Sequence, residues 1–353
     1  MKYPALLPFE EILSQLDRFH TIIDVRSEGE FAEDHLPGAI NCPVLNNEER
    51  ARVGTLYKQV GSFEAKKLGA ALVARNIAHH LDTVFADKPR EWKPLVYCWR
   101  GGNRSGSMAH ILAKIGWPAV QLDGGYKEYR RHVNAALTEL PGRYSFRVIG
   151  GPTGSGKSEL LRTLEQAGAQ VLDLEQLAAH RGSVLGHLPS QPQPTQKTFE
   201  STIWQALRSF DPACPVFVES ESKKVGNLRV PEALMDRMRA SPCIALSLDM
   251  AGRVALLMRE YEHFVAAPDD LNRQLECLLH LHGRENLGRW QEMASSGAMA
   301  PLVEELLKQH YDPAYMRSIN RNFTHFPDAR PIVLPDISSQ SFAAAARALL
   351  EQD

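Results

Sequence analysis

The sequence predicts an α/β protein built from two parallel-sheet domains, the second ending in a helical region. Three observations carry this. Short apolar runs alternate with helix-length amphipathic segments, the pattern of strand–helix–strand units. Two glycine-rich loops each follow such a run directly, at the strand ends where open parallel sheets place their ligands. The chain's 353 residues also exceed what one hydrophobic core usually supports, so two domains are expected, over 10–137 and 145–353.

The first strand is Thr21-Ile22-Ile23-Asp24-Val25, apolar and ending beside an acid. Leu95-Val96-Tyr97 is the second and delivers Cys98 at its C-terminal end. Ser105 is the expected N-cap of a helix over 106–115, with Met108, Ile111, Leu112 and Ile115 on one face. Val120–Leu122 forms the next strand, and Asp123-Gly124-Gly125 turns into a helix over 127–137. Thr138–Arg143, with Pro141-Gly142, reads as a linker. Phe146–Ile149 then runs as a strand into the second glycine loop, followed by a helix over 157–167 and a strand over 170–173. Further strands are expected at Pro215–Val218 and Ile244–Leu248, with mostly helix from Arg253 to Met316. Pro189–Pro194 reads as an irregular loop or lid.

Composition excludes several classes. A net charge of −2 gives no global attraction to nucleic acid, so RNA binding would need a local basic surface. Five cysteines (Cys42, Cys98, Cys214, Cys243, Cys277) without CxxC spacing argue against a zinc site and against a disulfide scaffold. The opening Met1–Pro8 does not resemble a signal peptide. No apolar run reaches the roughly 18 residues of a membrane span. A reducing cytoplasm, without membrane partners, is the expected setting.

The first loop is Tyr97-Cys98-Trp99-Arg100-Gly101-Gly102-Asn103-Arg104-Ser105. A thiol at a strand end, inside a ring of backbone N–H groups and near arginine, favours a nucleophilic sulfur. Cys98 is the candidate nucleophile. Arg100, Gly101, Gly102, Asn103, Arg104 and Ser105 are the candidate anion ligands. Five residues separate Cys98 from Arg104, the C-x5-R spacing of cysteine phosphatases, and Tyr97 stands where tyrosine phosphatases carry histidine. Sulfurtransferase loops of the rhodanese type are similar and usually one residue shorter. The loop alone leaves both chemistries open. Cys42, Cys214, Cys243 and Cys277 lie in or near apolar stretches and read as packing residues.

The second loop, Gly151-Pro152-Thr153-Gly154-Ser155-Gly156-Lys157-Ser158, matches the Walker A pattern between a strand and a helix. Gly151, Thr153, Gly154, Ser155 and Gly156 would cradle a diphosphate, Lys157 would add charge, and the Ser158 hydroxyl could reach a magnesium ion. Any diphosphate satisfies these donors, ATP included. Glu219 and Glu221, at the end of Val216-Phe217-Val218, are candidate acids facing the ion. Asp173 and Glu175 are weaker candidates. Magnesium is possible here, and its full ligand set stays open.

Around the first loop, Asp24-Val25-Arg26, Glu30-Phe31, His35–Asn41 and Leu122-Asp123-Gly124-Gly125-Tyr126 resemble the signatures of rhodanese domains over roughly residues 10–135. Joined to a P-loop domain, the whole resembles the tRNA 2-selenouridine synthase family. The resemblance also rests on His180-Arg181-Gly182-Ser183, Gln193-Pro194-Thr195-Gln196 and Phe217–Ser222.

That resemblance implies action on tRNA carrying 2-thiouridine at the wobble position, U34. Its sulfur is first alkylated by geranyl diphosphate at the P-loop. Selenium from selenophosphate, carried on Cys98 as a Cys–S–Se species, then displaces the geranylated sulfur. Selenophosphate and geranyl diphosphate would be co-substrates, no cofactor would be tightly held, and the enzyme supplying selenophosphate is an implied partner. Candidate tRNA contacts are Arg284, Arg289, Trp290, Lys308, His310, Tyr311, Arg317 and Arg321. The alternative is a phosphatase–kinase fusion that uses the C-x5-R and Walker A loops.

Overall fold

The computed structural model describes residues 3–188 and 191–351. The chain divides into two compact units, one of residues 1–136 with 200–202, the other of 137–199 and 203–353.

In the first unit, Ala5–Leu7 (β1), Thr21–Asp24 (β2), Ala39–Asn41 (β3), Pro94–Tyr97 (β4) and Val120–Leu122 (β5) form one sheet in the order β1-β5-β4-β2-β3, every pair parallel. β4 lies centrally and is buried along its length, as a parallel strand covered on both faces should be. The two edge strands are three residues each, too short to announce themselves by alternation. Between β3 and β4 the chain forms two helices, Asn47–Gln59 and Ser62–Thr83, that the sequence reading passed over. The first begins with a capping box in which Asn46 and Glu49 satisfy each other's backbone N–H groups.

In the second unit, Phe146–Gly150 (β6), Gln170–Leu172 (β7), Val216–Glu219 (β8), Cys243–Ser247 (β11) and Arg330–Val333 (β12) form a parallel sheet ordered β12-β11-β6-β8-β7. A two-strand ribbon, Lys224–Val225 (β9) and Leu228–Arg229 (β10), stands apart. β6, which feeds the Walker A loop, is the middle strand. Its neighbour β8 carries Glu219, and Ile149 pairs with Glu219 in register. The expected helical stretch is present as successive helices from Met250–Glu260 to Asp312–Asn322. β12 and the closing helix Ser339–Leu350 follow it. Phe342, Ala345, Ala346 and Leu349 of that helix pack into the sheet core with Leu160, Leu161 and Leu164 of the helix behind the Walker A loop.

Three expectations are corrected, and a fourth is sharpened. The helix after Cys98 starts at Asn103, with Gly102 as its N-cap, so Ser105 lies inside the first turn. Gly102 sits at φ +76°, which lets the chain turn straight from loop to helix. Ile115 is half-exposed, because Met108, Ala109, Leu112 and Ala113 form the buried face. Thr138–Arg143 is no open linker: one helix runs Gly125–Glu139, a 3-10 turn follows at Leu140–Arg143, and Pro141 is buried. Within Pro189–Pro194, residues 189 and 190 lie outside the described residues. Gln193 is tied down, its amide donating to the carbonyls of Ala178 and Val225 at 3.1 and 3.0 Å.

Candidate active site

Cys98 leaves the C-terminal end of β4 with its side chain buried, 3% exposed. The Ser105 hydroxyl donates to Sγ at 3.3 Å, and Gln121 Nε2 donates to the Ser105 oxygen at 3.2 Å and to the Gly102 carbonyl at 3.3 Å. β5 thus supports the loop through Gln121. The opening N–H groups of helix Asn103–Ile115 have no carbonyl one turn back within the helix.

The loop is suspended from the next helix. Tyr126 and Lys127 N–H groups donate to the carbonyls of Cys98 and Trp99 at 2.8 and 2.9 Å. Gly125, at φ +59°, lies so close that a Cβ there would meet the Cys98 carbonyl at 2.4 Å. We expect Gly125→Ala to lower stability by about 1–3 kcal/mol, read by denaturant unfolding, because both strain and overlap oppose it.

Arg104 does not point freely into the loop. Its guanidinium makes a two-point pairing with Glu30, at 2.7 and 3.1 Å. Burial alone would raise the Glu30 carboxyl, yet Arg104, the Ser27 amide and Arg50 hold it at about 2. Arg100, Gly101 and Asn103 are exposed at the rim. Beneath lies a buried ion pair, Arg26 with Asp24 at 2.7 Å, and the Arg26 guanidinium sits 3.9 Å from the Tyr126 ring centroid. Tyr126 in turn donates to Asp34 at 2.9 Å. The rhodanese-like segments around 24–41 therefore brace the loop from below.

At the second loop, Gly154 and Gly156 adopt φ +78° and +90°, and helix Lys157–Gln166 begins there. Lys157 Nζ donates to the Gly151 carbonyl at 2.7 Å and lies 3.4 Å from that of Pro152. The Ser158 hydroxyl donates to Glu175 Oε2 at 3.1 Å, and the Glu175 N–H donates to Glu219 Oε1 at 2.8 Å. The candidate acid ranked lower from sequence, Glu175, is therefore the one that touches the loop. Glu221 closes the group: a Cβ on Gly182 would meet Glu221 and Glu175 oxygens at 2.5 and 2.6 Å. Among the described residues, no three His, Cys, Asp or Glu side chains are arranged to hold a metal ion.

Burial, reinforced by mutual repulsion, pushes the carboxyls of Glu175 and Glu219 well above the ordinary 4.5. Glu221 and Asp173 are raised too, chiefly by burial. Such groups keep their protons in the folded state at pH values where the unfolded chain has released them, so stability falls as pH climbs above 4.5. We expect Glu219→Gln to flatten this fall as pH rises above 4.5 in denaturant titrations. An unchanged slope would remove Glu219 as a contributor.

Two residues far away in sequence shape the loop. Tyr315 accepts a hydrogen bond from the Gly151 N–H at 2.6 Å, and its ring centroid lies 5.9 Å from Lys157 Nζ. Arg253 Nε donates to the Thr153 carbonyl at 2.9 Å while its guanidinium pairs with Asp312. Neither belongs to a local motif, so spacing could not find them. The loop opens on a cleft of about 570 Å³ whose walls include Lys157, Ser158, Glu175, Arg181, Tyr261, Tyr311 and Tyr315.

A family profile described as "tRNA 2-selenouridine synthase AAA domain" matches residues 144–275, and one described as "Rhodanese-like domain" matches 9–132. The tRNA 2-selenouridine synthase of Bdellovibrio bacteriovorus is 32% identical over 347 residues, covering 85% of this chain and 89% of that protein. The chain belongs to the tRNA 2-selenouridine synthase family. The family member from Nitrosomonas europaea is 37% identical over 244 residues, covering 68% of this chain and 63% of that protein, less than two thirds of its length. Among solved structures, the N-terminal domain of a putative ATP/GTP binding protein from Clostridium difficile 630 is 39% identical. It covers 36% of this chain and 98% of that one, with a TM-score of 0.33.

The expected tRNA contacts of this family member fall into buried, paired and exposed groups. Trp290 is fully buried and donates to Glu305 at 3.0 Å, so it is a core residue and no stacking platform. Arg289 is paired with Glu305 at 2.9 Å, and Lys308 with Glu304. His310 and Tyr311 line the cleft, with His310 Nδ1 3.0 Å from His282 Nε2. Arg284, Arg317 and Arg321 are exposed. No helix among the described residues is long and apolar enough to cross a membrane.

Proposed function

We propose that this chain converts 2-thiouridine at U34 of tRNA to 2-selenouridine, by S-geranylation followed by selenium transfer. The single observation that supports this best is the presence, in one family member, of a braced nucleophilic cysteine loop and a Walker A loop opening on an aromatic-walled cleft.

In the first step the thiocarbonyl sulfur attacks C1 of geranyl diphosphate. An S–C bond forms, the C1–O bond breaks, and diphosphate leaves. Lys157 and the loop amides hold the departing charge. S-alkylation makes C2 of the base electrophilic and turns sulfur into a leaving group. The Cys98 thiolate attacks the phosphorus of selenophosphate, forming an S–P bond as the P–Se bond breaks; the freed hydroselenide adds at C2 as geranylthiol departs, and water returns the phosphorylated cysteine to thiol and phosphate. The amides of helix Asn103–Ile115, with Arg100 at the rim, would hold the phosphate portion of the donor. Of the expected tRNA contacts, exposed Arg284, Arg317 and Arg321 are the cations we assign to the tRNA backbone. The enzyme that makes selenophosphate is the partner this chemistry requires upstream. A reducing cytoplasm suits a free Cys98.

The test adds the purified chain to tRNA containing 2-thiouridine, with geranyl diphosphate and with or without selenophosphate, and weighs the digested nucleosides. Geranylated 2-thiouridine is expected without the selenium donor and 2-selenouridine with it. No mass change in either mixture would overturn the reading. ATPase and phosphatase assays on the same sample test the kinase–phosphatase alternative.

A further inference from the structure

A second, smaller pocket lies in the helical part of the same unit. It measures about 60 Å³ and shares Thr153, Ser183, Leu257, Tyr261 and Tyr311 with the cleft over the Walker A loop. Its remaining lining is hydrocarbon or thioether, including Met258, Phe264, Leu271, Met299, Leu302 and Leu306. Leu302, Leu306 and Leu271 are at most 4% exposed and belong to the core of the helical region.

We propose that this pocket seats the far end of the hydrocarbon chain of an allylic diphosphate, and that Met299 and Leu302 limit the length of that chain. The inference rests on the reading that the Walker A loop holds a prenyl diphosphate, and it assigns the specificity determinant of that site.

The shared residues make the two spaces neighbours. A chain leaving phosphates on Gly154, Gly156 and Lys157 would pass Thr153, Tyr261 and Tyr311, which border both spaces, to reach the pocket. The side chains that line only the pocket offer nothing to a purine edge or a ribose, which would lose their hydration without replacement. An alkenyl chain loses nothing there and fills volume that a close-packed core would not leave open. Size then selects among such chains. At roughly 10–15 Å³ for each water-sized group, the pocket takes about four to six of them, close to one five-carbon isoprene unit. A two-unit chain would lay its first unit across the shared neck and its second in the pocket. A one-unit chain leaves the pocket unfilled, and a three-unit chain overfills it.

The experiment measures kcat/KM for dimethylallyl, geranyl and farnesyl diphosphates with tRNA carrying 2-thiouridine, in the intact chain and two variants. The intact chain should favour geranyl over each of the others by about tenfold or more. Leu302→Ala should raise the farnesyl-to-geranyl ratio by about tenfold, and Met299→Phe should raise the dimethylallyl-to-geranyl ratio similarly. Each ratio is taken on one preparation, so a loss of folded protein cancels. Use of geranyl diphosphate with both ratios within about twofold of the intact chain overturns the pocket assignment and leaves the Walker A reading standing. Failure to use any allylic diphosphate overturns both.

Discussion

Cys98→Ser should abolish selenium incorporation, by on the order of 10⁴-fold or more, while S-geranylated tRNA continues to form. Serine keeps the volume and the contact with Ser105 but removes the polarisable sulfur. The side chain stands 3.3 Å from the Ser105 hydroxyl, and an oxygen there preserves the local packing. A fold-level failure would remove both products, whereas a chemical one removes only selenouridine. Accumulation of the geranylated nucleoside in the variant, measured by mass spectrometry, is the decisive readout. Loss of both products from a folded variant would contradict the division of labour between the loops.

The second large effect is at Lys157. Its ammonium already bridges the Gly151 and Pro152 carbonyls and lies among Tyr315 and the carboxyl groups around Glu175, so it is positioned before any phosphate arrives. Lys157→Ala should reduce the rate of geranylation by about 10²–10³-fold, the range for removing one preorganised donor from a developing anion. Selenium transfer onto tRNA that has been geranylated beforehand should be unaffected. An unchanged geranylation rate would take the Walker A loop out of that step.

Both loops were legible in the sequence because each is a contiguous motif at a strand end, and backbone geometry there follows from glycine placement and strand–helix context. Strands β2, β4, β6 and β8 were likewise readable as buried apolar runs. What escaped was whatever depends on distance along the chain. Arg253 and Tyr315 reach the Walker A loop from helices more than ninety residues downstream, a relation no local pattern encodes. β1, β3 and β12 sit at sheet edges, where two are three residues long and the third carries a proline. Ser105 was misplaced as a cap because an N-cap serine and a first-turn serine look alike in sequence. Only the left-handed Gly102 separates them. Trp290 shows the same limit for tRNA contacts, since a tryptophan beside arginines suits a core as well as a surface.

The pairing of Arg104 with Glu30 bears on how the cysteine loop discriminates among solutes. A bare guanidinium would draw in chloride and inorganic phosphate, both abundant in a cell, and would be saturated by them. Here the cation already has an internal counter-ion, so an arriving oxyanion must exchange with a tethered carboxylate rather than settle on naked charge. Ubiquitous small anions gain little from that exchange. A donor that also engages the amide ring and the cysteine sulfur gains much more. On the proposed reading, the loop would thereby give up raw affinity and gain resistance to competition from bulk salts.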